Sequence, residues 1–238
     1  MDQRGPQIEQ KMKLIFCTVF AGFLLLCGVR AQEGGQNSVK TEKGADDPVA
    51  HQYLGKTRRW MNAAKALEAR FMVCIGKDEQ TAFLDCQPGS ILISGEKYRL
   101  LMGEDEYYCD ARNIWTYTQS TQEASVFPYD KSQADLNPFL LIRNYEKYYR
   151  TKYIRQENIE GSMRNIIDLI PLEASEFLKI RIFLNESDNR IFRISMYLPQ
   201  NQLYVYSVTK YIDNPQIDED TFVFDQSKHP DVMLIDMR

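Results

Sequence analysis

The residues able to do acid–base, nucleophilic or metal chemistry are few and scattered. Only two histidines occur, His51 and His229, and neither belongs to a cluster of ligands at metal spacing. Ser207-Val208-Thr209-Lys210 matches Ser-x-x-Lys. It falls in a strand-like run, however, where an odd step points the two side chains to opposite faces. Glu104-Asp105-Glu106 lies at a turn signal and reads as a solvated acidic cluster, not as a catalytic carboxylate pair. There is no Gly-rich phosphate loop and no Gly-x-Ser-x-Gly. The expectation is a protein that is not an enzyme and that uses no cofactor and no metal.

What the chain offers instead is apolar surface on strands, with 14 Tyr, 12 Phe and 2 Trp. Strand side chains alternate, so Tyr98, Leu100 and Met102 share one face, as do Trp115 and Tyr117. Each residue alone is ordinary β core. A curved sheet under two apolar-faced helices, though, either packs solidly or leaves a groove. A groove would suit acyl chains, whose burial yields ~0.8 kcal/mol per methylene.

The elements that must position these residues can be read from periodicity and turn chemistry. Asp47-Pro48 is an N-cap followed by Pro at the first helical position. Tyr53, Thr57, Trp60, Met61, Ala64 and Leu67 then recur at three- and four-residue steps, predicting an amphipathic helix. Beyond Ala69 the period becomes two. Short strands are expected at 71–75, 82–85, 91–93, 98–102, 106–109, 114–117 and 124–127. Turn signals separate them, including Gln87-Pro88-Gly89, Ser94-Gly95, Gly103-Glu104-Asp105 and Asp110 to Asn113. Asn137-Pro138 opens a second helical stretch through Phe139, Leu140, Leu141, Ile142, Tyr145, Tyr148 and Tyr149. Strands resume at 152–155, 163–170, 178–184, 190–198 and 203–211.

The first 31 residues read as a signal peptide. Met12-Lys13 is a short basic region, Leu14 to Val29 an apolar run, and Val29-Arg30-Ala31 a cleavage site before Gln32. Residues 1–11 read as a mis-called start. Gln32 to Asp46 is a polar tether, and 47–238 a folded domain. Taking Arg4, Lys11, Lys13, Arg30, Asp2 and Glu9 from the 29 basic and 33 acidic residues leaves 25 against 31. An acidic chain of this kind is a poor partner for nucleic acid. Three cysteines remain beyond the leader, and Cys74 and Cys86 are close enough to lie on facing hairpin strands.

Several segments, read in order, resemble the LolA-type outer-membrane lipoprotein carriers. Cys109-Asp110-Ala111-Arg112-Asn113-Ile114-Trp115-Thr116-Tyr117 is similar to that family's Asp-Gly-Lys-x-Leu-Trp-x-Tyr segment, and Gln122-Glu123-Ala124 to the strand after it. Ile91 to Leu101 resembles the preceding strand pair, Leu136 to Ile142 the family's helix, and Phe222 to Arg238 its closing strand. Asp168-Leu169-Ile170-Pro171 and Ile235-Asp236 look most like versions from the Bacteroides group. The resemblance implies an α+β fold: an unclosed, curved antiparallel β-barrel with a helical lid over a hydrophobic cavity. Leu92, Tyr98, Leu100, Met102, Trp115, Tyr117, Phe139 and Leu140 are the side chains expected to line it.

The function so implied is that of a monomeric periplasmic chaperone. It would take acylated lipoproteins from an inner-membrane lipoprotein-releasing ABC transporter to the outer membrane, handing them to an acceptor where one exists. A lipid- or lipoprotein-sensing regulator of the same fold is the alternative. Three departures from the family pattern stand out. Ser94 occupies the place of an arginine that latches lid to sheet, and Tyr98 the place of a phenylalanine. Ala111 replaces a turn glycine whose positive φ would cost an alanine about 1–2 kcal/mol.

Overall fold

The computed structural model describes residues 46–78, 86–129 and 139–238. The signal-peptide reading, the tether up to residue 45, the strand expected at 82–85 and the Asn137-Pro138 helix start lie outside them. Asp46, the last tether residue, accepts from the Thr151 amide at 3.0 Å. Asp47 caps helix α1 (Pro48–Ala63): its Oδ1 accepts from the Val49 and Ala50 amides at 2.9 and 3.3 Å. Partial desolvation pushes the Asp47 carboxyl up. The amide donors of Tyr153, Val49 and Ala50 outweigh that and hold it below the usual aspartate range. The buried stripe is Ala50, Leu54, Thr57 and Met61, with Tyr53 and Trp60 flanking it. The helix ends at Ala63, so Leu67 opens the first strand and is not the helix's last apolar position.

Among the described residues, twelve strands form one sheet. The first six are β1 (Leu67–Gly76), β2 (Cys86–Ser94), β3 (Lys97–Met102), β4 (Asp105–Cys109), β5 (Asn113–Thr118) and β6 (Glu123–Pro128). Helix α2 (Leu141–Tyr148) follows. Then come β7 (Tyr149–Ile159), β8 (Ser162–Pro171), β9 (Lys179–Asn185), β10 (Ile191–Leu198), β11 (Gln202–Asp213) and β12 (Met233–Asp236). In space the order is β12-β6-β5-β4-β3-β2-β1-β11-β10-β9-β8-β7. Two antiparallel meanders, β1–β6 and β7–β11, therefore meet at the β1–β11 pair, and the curved sheet stays open between β12 and β7.

Four further features differ from the sequence expectation. Gln87-Pro88-Gly89 is not a turn but the start of β2. The Phe71 ring lies over Gly89, where any Cβ would collide with it, so glycine here serves packing and not chain reversal. The Pro88 carbonyl accepts from Gly103, in the turn where β3 has already ended. Tyr149 begins β7 and does not extend α2. The closing strand β12 runs parallel to β6, with Leu234 beside Ala124, in a sheet otherwise antiparallel. Glu106 lies in its strand as expected, but it is not simply a solvated turn residue: its carboxylate pairs with Arg99 on β3 at 2.8 Å.

The Asp110–Asn113 turn forms as expected. Asp110 Oδ1 accepts from the amides of Arg112 and Asn113 at 2.8 and 2.7 Å. Ala111 retains a left-handed φ of 70° despite its methyl group. Cys74 and Cys86 sit directly opposite in the β1–β2 register and form a disulfide. Among the described residues, that leaves Cys109 as a free, buried thiol.

Candidate functional site

Register sorts every strand residue to one of two faces. Both helices lie on the face that carries Phe71, Tyr206, Tyr211 and Tyr153, here termed the inner face. Phe139 packs on Phe71 at 5.2 Å between ring centroids, and Phe71 on Tyr206 at 5.7 Å. Trp60 meets Tyr211 edge-on at 5.0 Å, and Tyr53 stacks on Tyr153 at 5.8 Å. Tyr98 is opposite Ile93, and Leu100 opposite Ile91, so these four and Met102 join the same buried surface. Beyond β1 it continues through Tyr206, Ile194, Ile182 and Ile167, neighbours in successive registers.

The eight residues expected to line a cavity therefore divide. Tyr98, Leu100, Met102 and Phe139 belong to the inner face; Leu140, which precedes α2, is buried. Trp115 and Tyr117 point the other way. Trp115 is opposite Tyr108 and Val126, Tyr117 opposite Glu106 and Ala124, and this second surface is covered by Phe224, Val232 and Leu234. Leu92 is opposite Arg99, which puts it on the outer face too, half-buried. One binding surface cannot contain both sets, because a one-residue change of parity moves a side chain through the sheet.

The helices are tied to the inner face by polar contacts at both ends of α2. Arg143 Nη1 donates to the Gly95 carbonyl in the β2–β3 turn. Desolvation lowers the Arg143 pKa, with Glu96 opposing that effect. Ser94, at the place where the sequence resemblance expects a latching arginine, donates to the Lys65 carbonyl at 3.0 Å. At the seam between the helices, Tyr145 Oη and His51 Nδ1 share a hydrogen bond of 2.8 Å. Arg58 donates to Glu146 at 3.1 Å, which holds the Glu146 carboxyl below its usual range. Burial, reinforced by Glu146, raises the Tyr145 phenol, so it stays protonated.

One end of the inner face carries polar groups that its periodicity did not reveal. Thr151, Leu169, Ile180, Met196, Tyr204 and Ile75 form a single cross-strand row. The Tyr204 hydroxyl is buried and has no hydrogen-bond partner among the described residues, although the residue is only 8% exposed. Glu176 stands nearby in the β8–β9 connection, beside buried Phe177. Its side chain reaches solvent on one side, yet desolvation raises its pKa. Desolvation and the charge of Glu176 push the Tyr204 phenol up to about 12.

The outer face has a polar cleft of about 290 Å³ between β3–β4 and the 218–229 segment. Its charges are largely spent on one another. Arg99 bonds Glu106, which also accepts from the Tyr108 hydroxyl, and Lys228 bridges Asp220 and Asp225 at 3.2 and 3.3 Å. His229 stacks on Phe224 at 5.1 Å and packs on Tyr117 at 4.8 Å, a packing role and not a ligand's.

No protein-family model matches the chain, and no curated protein matches it. Solved structures do. An uncharacterized conserved protein from Thermus thermophilus shares the fold. It superposes with a TM-score of 0.55 at 9% identity, over 79% of this chain and 99% of the other. A DUF1329 family protein from Desulfovibrio piger gives 0.46 at 8% identity, over 78% and 100%. A LolA superfamily protein from Nitrosomonas europaea gives 0.41 at 13% identity, over 74% and 97%. At the last two scores the likeness carries no functional weight.

Proposed function

We propose that this protein is a periplasmic carrier that shelters the acyl chains of lipoproteins between the inner and outer membranes. The observation that supports this reading is the inner face. It presents aromatic and aliphatic side chains from β3 round to β9, and its helical cover is held at α2 by side-chain clasps at Gly95 and His51. Such contacts are worth about 1–3 kcal/mol each, so cargo can shift the cover without unfolding the sheet. Apolar contact is non-directional, so one carrier can accept many lipoproteins that share only a lipid. Loading by an inner-membrane ABC transporter and unloading at an outer-membrane acceptor complete the proposal.

The test is native mass spectrometry of the protein purified from periplasm without detergent. A co-purified acylated protein, lost on adding detergent, is the expected result. Free lipid alone would favour a sensing role for the same face. An empty chain, even when lipoprotein supply is raised, would overturn the acyl-binding reading.

A further inference from the structure

The inner face is apolar along most of its area, so a buried hydroxyl without a partner is conspicuous on it. Tyr204 supplies one: its Oη is enclosed with no partner among the described residues, and Glu176 lies two residues before Leu178, whose amide donates to the Tyr197 carbonyl on the strand beside Tyr204. We propose that the Tyr204 hydroxyl anchors the ester carbonyl of an acylated ligand, while the Glu176 carboxylate at the rim disfavours free fatty acids. The inference rests on the acyl-chain reading of the inner face and adds where the polar end of the chain lies.

The chemistry follows from what each group can do. A protonated phenol buried in an apolar wall seeks an acceptor, and an ester carbonyl is an acceptor that brings no charge. Met196, Ile180 and Leu169 continue from Tyr204 along the same row. At about 4.8 Å per strand they give roughly 14 Å of apolar track for the chain. The ligand's head group would leave past Glu176, which is open to solvent. A fatty acid placed the same way would set its own carboxylate against that of Glu176, and like charges at a partly desolvated rim repel. A glycerol ester has no such cost. Exposed Leu172 and Leu178 flank the Glu176 segment and border the exit with further apolar surface.

Both a lipoprotein and a phospholipid carry the acyl ester, so the experiment must separate them. The full protein is titrated calorimetrically at neutral pH with monoolein and with oleate, which share one chain. Monoolein is expected to bind at least about tenfold more tightly. Tyr204→Phe should weaken monoolein about fivefold to tenfold, the worth of one hydrogen bond. It should not lower the melting temperature of the empty protein, because it removes an unpartnered hydroxyl. Glu176→Gln should bring oleate to within about threefold of monoolein. A triacylated lipopeptide and a dioleoyl phosphatidylethanolamine then identify the ester's source; a Tyr204→Phe loss with either supports the anchor. If both variants bind every ligand as the wild type does, Tyr204 holds only a buried water and the anchor is wrong, while the inner-face reading stands. If no acyl ligand binds the wild type, that reading falls and the anchor with it.

Discussion

Arg143 on α2 reaches across to the carbonyl of Gly95, so the helical cover is latched from helix to sheet. By the resemblance read from sequence, Ser94 stands in place of a latching arginine, so a different latch or a looser cover is expected. Here the donor sits on the helix, and the turn contributes a backbone oxygen. Gly95 itself takes the left-handed conformation of the β2–β3 turn, with φ of 60°.

Arg143→Ala should free α2 at that end. The expected result is amide exchange in residues 141–148 about tenfold faster, matching the loss of about 1.5 kcal/mol for a bond from a charged donor. Exchange in β9 and β10 should stay unchanged. Equal protection of α2 in the variant would mean that the buried Leu141, Ile142 and Tyr145 and the contacts to His51 and Arg58 hold the helix without Arg143.

Acid should loosen the seam at the helices. Asp47 and Glu146 both have folded pKa values depressed below their ordinary ones. A depressed carboxyl contributes stability above its unfolded pKa and loses it as pH falls through the folded value. The contribution of these two carboxyls should therefore be flat from neutrality to about pH 5 and decline below about pH 4. Asp47→Asn and Glu146→Gln together should flatten that decline in urea titrations across the range.

The two faces should respond differently to truncation. Trp115→Ala removes a large side chain from the outer cluster with Tyr108 and Val126, and should cost about 3–5 kcal/mol while leaving acyl binding intact. Leu100→Ala should cost less and should weaken acyl binding as well. Equilibrium unfolding and lipid titration, run on the same samples, separate the two.

Ala111 is held with φ of 70°, where its methyl group is strained. Ala111→Gly should raise stability by about 1 kcal/mol and the melting temperature by a few degrees. No rise would indicate that glycine's larger unfolded-state entropy offsets the relief of strain.

The thiols give a chemical check. Cys74 and Cys86 are linked, and burial pushes the Cys109 thiol up to about 11. Of the three cysteines beyond residue 45, none should alkylate in the native oxidised protein, one should after unfolding, and three after reduction as well. Reduction of the link, whose partners are 12 residues apart, should cost about 3 kcal/mol.

Much of the fold was legible because local rules coincide. Alternation marked β3 and β5, the Asp110 turn announced its own hydrogen bonds, and Asp47-Pro48 fixed the start of α1. The face of Trp115 was not legible. Its parity relative to Tyr98 depends on how the intervening strands are paired, and no local pattern carries that. Gln87-Pro88-Gly89 has turn composition, but its glycine answers to the Phe71 ring, a residue far from it in sequence. The parallel pairing of β12 is likewise a long-range choice. At the candidate site the apolar residues were visible as a pattern, whereas Tyr204 and Glu176 came together only once β11 and the β8–β9 connection were placed.

The seam between the two meanders has a consequence for how the chain reaches this state. Hairpins within β1–β6 and within β7–β11 join near neighbours and can form early. The β1–β11 pair, which sets Cys74 beside Val205, must wait until almost the whole chain is present, and loop closure of that span is entropically slow. Until it happens, each half exposes a bare β-edge and half of an apolar face. Covering both edges and joining the two half-faces therefore falls to a single long-range step, the pairing of β1 with β11.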